Sequence, residues 1–298
     1  MTSDALPATT RSSDVDGRPS RTAWLSVLWR HRNGRIGLIF AILVLLGSIA
    51  GWTQLTPYPA DQLGVGHILA SPSTAHLFGT DQFGRDVFSQ VLQALAVTLE
   101  IAVLAVTISG VIGSTAGIVA GFVRGWPGAV IMRLADILFA IPAILFALAI
   151  VSALGSGVVD SAMAIGIAYV PIYVRVVRGP VLSLYDADFV RAGRVLGYSR
   201  RRLLFRHVLP NVTGTIAVQT SLTLAWAILD EAGLSFLGLG PPAPTASLGE
   251  LVSNSTSLAS HAWWTLAFPS LAIVIAAIAF NFLGDGLRAT FDPRELSR

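Results

Sequence analysis

Residues Asp188 to Asn211 read DFVRAGRVLGYSRRRLLFRHVLPN, with six arginines inside twenty-four residues. The segment is too polar to cross a membrane, and the chain on either side of it is too apolar for an ordinary soluble domain. Of 298 residues, 53% are hydrophobic and 12% charged, about half the charged fraction of soluble proteins. Apolar windows of the length a helix needs to cross roughly 30 Å of hydrocarbon lie at about 36–52, 94–122, 134–154, 158–177, 212–229 and 266–287. They lack the alternation of barrel strands. The expected fold class is therefore an all-α integral membrane protein with six transmembrane helices. A polar N-terminal tail, residues 1–35, lacks the apolar core of a signal peptide, and 36–298 reads as one transmembrane domain.

All twenty basic residues are arginine. If the six spans alternate, nineteen of them fall on one side and only Arg85 on the other. Cytoplasmic loops carry such an excess, so the N- and C-termini and the Asp188–Asn211 segment are expected to be cytoplasmic. The net charge of +3 reflects this topology and implies no nucleic-acid partner. Without lysine there is no GxxxxGK[ST] phosphate loop and no Schiff-base nucleophile, so the chain is not expected to hydrolyse ATP by that route. Without cysteine there are no disulfides, thiolate metal sites or iron–sulfur clusters. The five histidines form no HExxH, and Gly233 to Gly238, GLSFLG, misses the GxSxG elbow by one position. Neither an enzyme nor a cofactor-binding protein is expected.

Within the arginine-rich segment, Phe189, Ala192, Gly193 and Leu196 recur at i, i+3, i+4 and i+7, one apolar face of a short helix, with Arg191 and Arg194 on the other side. Asp186 and Asp188 stand where negative charge suits a helix N-terminus. Gly197 breaks the helix, Ser199 can cap a second one, and an apolar pattern restarts at Leu203 and Leu204 and ends at Pro210. Two short helices with a sharp bend are expected, with an apolar face too short to span a bilayer and too small for a core of its own. Taken alone, the pattern suits a helix lying on lipid headgroups as well as one filling a partner's groove.

The spacing resembles the EAA loop of ATP-binding-cassette importer permeases: EAA, three residues, G, nine residues, I, one residue, L-P. Arg191 stands for the glutamate, Ala192 and Gly193 for the alanines, Gly197 for the glycine, His207 for the isoleucine, and Leu209 and Pro210 close the motif. FRHVLPN, FGTDQFGRDV (Phe78–Val87), EAGLSFLGLGPP (Glu231–Pro242) and NFLGDGLR…DPR (Asn281–Arg294) are similar to dipeptide and oligopeptide importer permeases in particular, in the same order over six spans. The resemblance implies the type I importer permease fold in the bacterial cytoplasmic (inner) membrane. It implies four kinds of partner: a second homologous permease, two ATP-binding-cassette ATPase subunits, an extracytoplasmic substrate-binding protein and a peptide substrate. It also makes the bent loop, about residues 180–210, a coupling helix docked in an ATPase cleft. Phe189, Leu196 and Tyr198 would be its anchors, its arginines would pair with carboxylates, and Gly193 would allow close backbone approach.

Other residues carry weaker signals. Asp81, Arg85 and Asp86, on the outer side, suit a salt-linked turn or a contact with the binding protein. Pro241, Pro242 and Pro244 interrupt any helix after the fifth span, so about 233–264 is expected to form an external cap. Gly113, Gly117 and Gly121 make a small-residue ridge for helix packing, and Pro142 and Pro171 are expected kinks. Acidic residues at membrane depth avoid lipid. Glu100, roughly 10 Å from the outer end at 1.5 Å per residue, suits either the substrate pathway or a packed partner helix, and Asp136 is expected to pair locally with Arg133. The reading that gathers these features is a permease subunit importing short peptides, or nickel complexes or haem within the same class. Its rivals are an ion-coupled secondary transporter working through Glu100 or Asp136, and a non-transporting membrane adaptor. Few spans, few intramembrane charges and no visible internal repeat stand against the secondary transporter.

Overall fold

The computed structural model describes residues 28–29, 31–123 and 125–291. Most of the polar tail and the DPR of the last motif lie outside the described residues. The described chain is helical: α1 (Arg32–Trp52), α2 (Val87–Phe122), α3 (Trp126–Phe139), α4 (Ala143–Leu154), α5 (Val158–Tyr185), α6 (Asp188–Val195), α7 (Arg200–Leu203), α8 (Leu209–Leu234), α9 (Leu248–Ser255) and α10 (Trp263–Phe291). A π-helical turn, Leu204–Val208, joins α7 to α8, and a second, Ser235–Leu239, extends α8. Arg200–Leu239 is thus one helical run, and with α1, α2, α5 and α10 it gives five helices long and apolar enough to cross a membrane.

The third expected span is broken. α3 and α4 meet at an angle of 88° across Ala140–Pro142. Pro142 has no N–H to offer and clashes with a continued helix, and it stands at the N-cap of α4. The expected kink is therefore a full break, whereas Pro171 lies inside the continuous helix α5.

Helices in lipid associate through close packing rather than a hydrophobic drive, and α2 and α5 meet along the glycine ridge. A Cβ at Gly113 would lie 2.5 Å from Tyr173 Cβ, one at Gly117 2.7 Å from the Val174 carbonyl oxygen, and one at Gly121 2.7 Å from Val181 Cγ1. Tyr173, Val177 and Val181 are fully buried against this ridge. The main core lies further along the bundle, where Ile101, Ile165, Ile228 and Ala276 are likewise sealed.

Contacts between helices define two ends. At the proximal end, where α1 begins, Gly34 packs on Gly286 and Gly121 on Val181. At the distal end Gly51 meets the Leu92 backbone, the Leu248 N–H donates to Thr98 Oγ1 at 3.1 Å, and Trp264 Nε1 donates to the Thr80 carbonyl at 3.1 Å. The distal end is closed by the loop 53–86 and by α9, whose N-cap Ser247 accepts from the Glu250 N–H. Its hydroxyl satisfies one of the orphan donors of that helix start. The segment α6–α7 hangs at the proximal end over a smaller core of Phe122, Val177, Val181, Leu203, Val208 and Val212.

Candidate functional site

The sequence of the proximal segment explains its bend. Asp188 lies in the first turn of α6 and Arg194 in its last, each charge favourable to the helix dipole at its end. Gly197 has φ +76°, a left-handed conformation that glycine adopts without a Cβ penalty. It stands just past the helix end, where the Tyr198 N–H donates to the Gly193 carbonyl at 2.9 Å and closes the turn. Ser199 caps α7, its hydroxyl accepting from the Arg202 N–H at 3.3 Å. The expected stop at Pro210 is corrected. The proline sits in the first turn of α8, and the π-turn Leu204–Val208 before it absorbs the missing donor and keeps the helix continuous. The second short helix is the start of the fifth span.

Burial divides the predicted face in two. Val190, Gly193 and Leu203 point inward; Phe189 is 46% exposed and Leu196 71%, with Ala192 and Val195 exposed beside them. A Cβ at Gly193 would lie 2.8 Å from Leu203 Cδ2 and 3.2 Å from Tyr198 Cδ2. Gly193 therefore makes room for the segment's own fold, and its assignment to an outer face is corrected. Phe189, Ala192 and Leu196, at i, i+3 and i+7, remain as an outward apolar stripe. Around it Arg191 is exposed, Arg194 stacks on Tyr185 at 3.7 Å, and Arg202 stacks on Tyr198 at 4.2 Å. The stripe borders an open recess of about 640 Å³ lined by Phe189, Arg206, His207, Pro210 and Asn211. His207 lies between the Phe189 and Tyr198 rings, 6.2 Å from each, and Leu209 is half-buried against the small core. An exposed apolar stripe with stacked guanidinium groups beside it can take a groove lined with carboxylates.

At the distal end the expected salt-linked turn is present. Asp81 Oδ1 accepts from the Phe83 and Arg85 backbone N–H groups at 2.8 and 2.9 Å, and Oδ2 from Arg85 Nε at 2.6 Å and Gln90 Nε2 at 3.1 Å. Asp86 caps α2, accepting from the Ser89 N–H at 2.9 Å, while its other oxygen meets His76 Nδ1 at 2.9 Å. Asp81 and Asp86 are buried, so only Arg85, partly exposed, offers a group to a partner.

The two membrane-depth carboxylates differ from expectation. Neither is buried. Glu100 faces outward from α2, and because that helix begins at Val87 it lies roughly 20 Å along it. Asp136 pairs with Arg175 of α5 at 2.7 Å rather than with Arg133, and Arg175 also stacks on Phe139 at 4.2 Å. Both partners are about half exposed, 46% and 50%. The local i, i+3 pair yields because α5 places a guanidinium beside both the carboxylate and the ring at the end of α3.

Sequence reasoning missed Glu231. It is 1% exposed; one carboxyl oxygen accepts from Ser235 Oγ at 2.7 Å, and the Thr98 and Ser247 hydroxyls stand close to the same carboxyl group. Its neighbour Asp230 accepts from the Tyr169 hydroxyl at 2.8 Å. The signal was the acidic start of EAGLSFLGLGPP inside an apolar run. In α9, burial pushes the Glu250 carboxyl up, against the opposing pull of Asn254, the Ser247 backbone and Arg85.

Membrane-length helices packed on glycine ridges, with a bent polar segment at one end and a folded cap at the other, define the class as a multi-pass helical membrane protein. The profile of the binding-protein-dependent transport system inner membrane components matches residues 113–296. The chain belongs to that family and is a non-catalytic permease component of the inner membrane. It is similar to the dipeptide transport system permease protein DppC of Alkalihalophilus pseudofirmus, 41% identical over 90% of this chain and 88% of the relative. It also resembles the glutathione transport system permease protein GsiD of Pectobacterium atrosepticum, 37% identical over 93% and 91%. The di/tripeptide transport system permease protein DppC of Pseudomonas aeruginosa is 37% identical over 93% and 92%.

Proposed function

We propose that the chain is one permease subunit of an ATP-driven importer of short peptides. Its proximal end would lie in the cytoplasm and its distal cap would face the substrate-binding protein. The observation that carries this reading is the outward stripe Phe189, Ala192 and Leu196 on a bent segment whose inward face, Val190, Gly193 and Leu203, is tied to the membrane helices. A docked ATPase subunit pulling on that stripe moves α6, and the packing of Gly193 on Leu203 passes the motion to α7, which with the π-turn and α8 is one helical run. Such transmission requires the segment to interact differently with the open and closed ATPase or to follow its rigid-body shift.

Peptide as the substrate class rests on the relatives, whose names give dipeptide, di/tripeptide and glutathione. The half-exposed Asp136–Arg175 pair supports a water-accessible path beside α3 and α5, since two charges facing hydrocarbon at that depth would be costly. A second permease subunit completes that path, and Arg85 on the distal surface is offered to the binding protein. Reconstitution tests the reading. Uptake of a dipeptide should require ATP, the ATPase subunits and the binding protein, and ATPase activity should rise with the transported solute. Gradient-driven uptake by this chain alone would replace it with an ion-coupled transporter.

A further inference from the structure

A recess of about 330 Å³ opens between α5, α8 and α10 near the proximal end. Its polar lining is Arg288, Thr215 and Gln219. Arg288 is exposed, and no ion pair to it is recorded among the described residues; Asp285, one turn earlier on α10, is the nearest acid in sequence and is not part of the lining. Gln219 Nε2 donates to Thr223 Oγ1 at 2.9 Å, which fixes the amide and leaves its second N–H for another acceptor. The walls are apolar: Val176, Val218 and Phe291, the last seated against Gly214, where an added Cβ would lie 2.8 Å from the ring.

Depth decides what fits. Arg288 lies three residues before the end of α10, Thr215 six residues into α8 and Val176 nine before the end of α5. These steps correspond to roughly 5, 9 and 14 Å from the proximal ends of their helices. The recess therefore runs from headgroup level into the acyl region, with Arg288 at the shallow end, Thr215 below it, and Gln219, roughly 15 Å along α8, level with the valines. A guanidinium presents a planar fork that matches a phosphate, and two neutral donors lie on the same wall. Among the described residues no carboxylate lines the recess beside the arginine.

We propose that this recess holds an anionic phospholipid of the proximal leaflet, its phosphate on Arg288 and Thr215, an ester carbonyl accepting from the free Gln219 N–H, and the start of an acyl chain along Val176 and Val218. A free phosphate would engage the same donors but leave the apolar walls in water. Basic pockets between membrane helices recognise anionic headgroups in this way. The inference requires that the chain spans a membrane and that this recess faces lipid; it is independent of what is transported and of how transport is driven.

The test uses the full chain in nanodiscs of mixed phosphatidylcholine and phosphatidylglycerol, released for native mass spectrometry. Wild type should retain one phosphatidylglycerol in preference to phosphatidylcholine. Arg288→Gln should lower that occupancy at least about tenfold, the effect of losing one charge-assisted contact. Arg288→Lys, which keeps the charge and loses the fork, should fall in between. Thr215→Phe, which fills the recess and keeps Arg288, should also release the lipid. Retention in Thr215→Phe would reduce the effect to surface attraction and overturn the proposal. Displacement by excess inorganic phosphate would make it a soluble-anion site, and equal retention of the two lipids in wild type would end it. A thermal midpoint in pure phosphatidylcholine verifies that each variant is folded; if Arg288→Gln fails, Arg288→Lys and Thr215→Phe decide.

Discussion

Gly193 and Leu196 stand three residues apart and have opposite consequences. Gly193 is buried against Leu203 and Tyr198, so Gly193→Trp should overpack the bend itself. Overpacking of this kind costs about 1–3 kcal/mol or more, and the expected outcome is a lower thermal midpoint of the purified chain as well as lost assembly. Leu196, 71% exposed, touches little of its own chain. Leu196→Asp should leave stability unchanged within about 0.5 kcal/mol and still abolish ATPase binding in a pull-down with purified subunits. Normal assembly in Leu196→Asp would remove the outward stripe from the docking account. At Glu100, exposed at membrane depth, a carboxylate that meets substrate should make Glu100→Gln change peptide uptake kinetics without loss of folded yield; unchanged kinetics across substrates would leave it facing a neighbouring subunit.

At the scale of elements, the α2–α5 seam and the distal cap respond to different variables. A side chain at Gly117 would run into the Val174 backbone, which cannot swing aside as a flexible side chain can. Gly117→Leu should therefore separate the two helices and lower stability by about 1–3 kcal/mol, measured by thermal unfolding in detergent. The cap should respond to pH through Glu250, whose carboxyl burial raises. A carboxyl with a raised folded value contributes stability that is fully present below its ordinary value of 4.5 and is lost as pH rises through the shifted one. Amide-exchange protection of Leu248–Ser255, corrected for the intrinsic exchange rate, should fall over that window in the wild type and stay level in Glu250→Gln. The same elements separate what the sequence revealed from what it hid. Periodicity and capping residues announced the bend at Gly197 and the Ser199 cap, because those are local. The break at Pro142 was legible only as a kink, since hydropathy registers side chains and not the lost backbone hydrogen bond. The run of helix through Pro210 was hidden by a π-turn, which no residue type signals.

The whole molecule was legible in outline because the spans are set by bilayer thickness, which hydropathy reads directly. How the spans face one another was not. Nothing local distinguishes Arg175 from Arg133 as the partner of Asp136, and a window average cannot tell that Glu100 faces outward while Glu231 is sealed. Orientation is the remaining property of the whole chain, and it bears on the proposed coupling. The native chain has no cysteine, so one engineered thiol reports without background. Ser257, exposed on the cap, is the suitable distal control, whereas Ser247 is fully buried. The measurement that tests the coupling claim most directly is thiol labelling of Leu196→Cys, with Ser257→Cys as control, in intact cells and in inside-out vesicles stripped of peripheral subunits. Leu196→Cys should resist an impermeant reagent in cells, react in stripped vesicles, and become protected when the ATPase subunits are added back. Labelling from outside intact cells, or equal labelling with and without the ATPase subunits, would contradict the account.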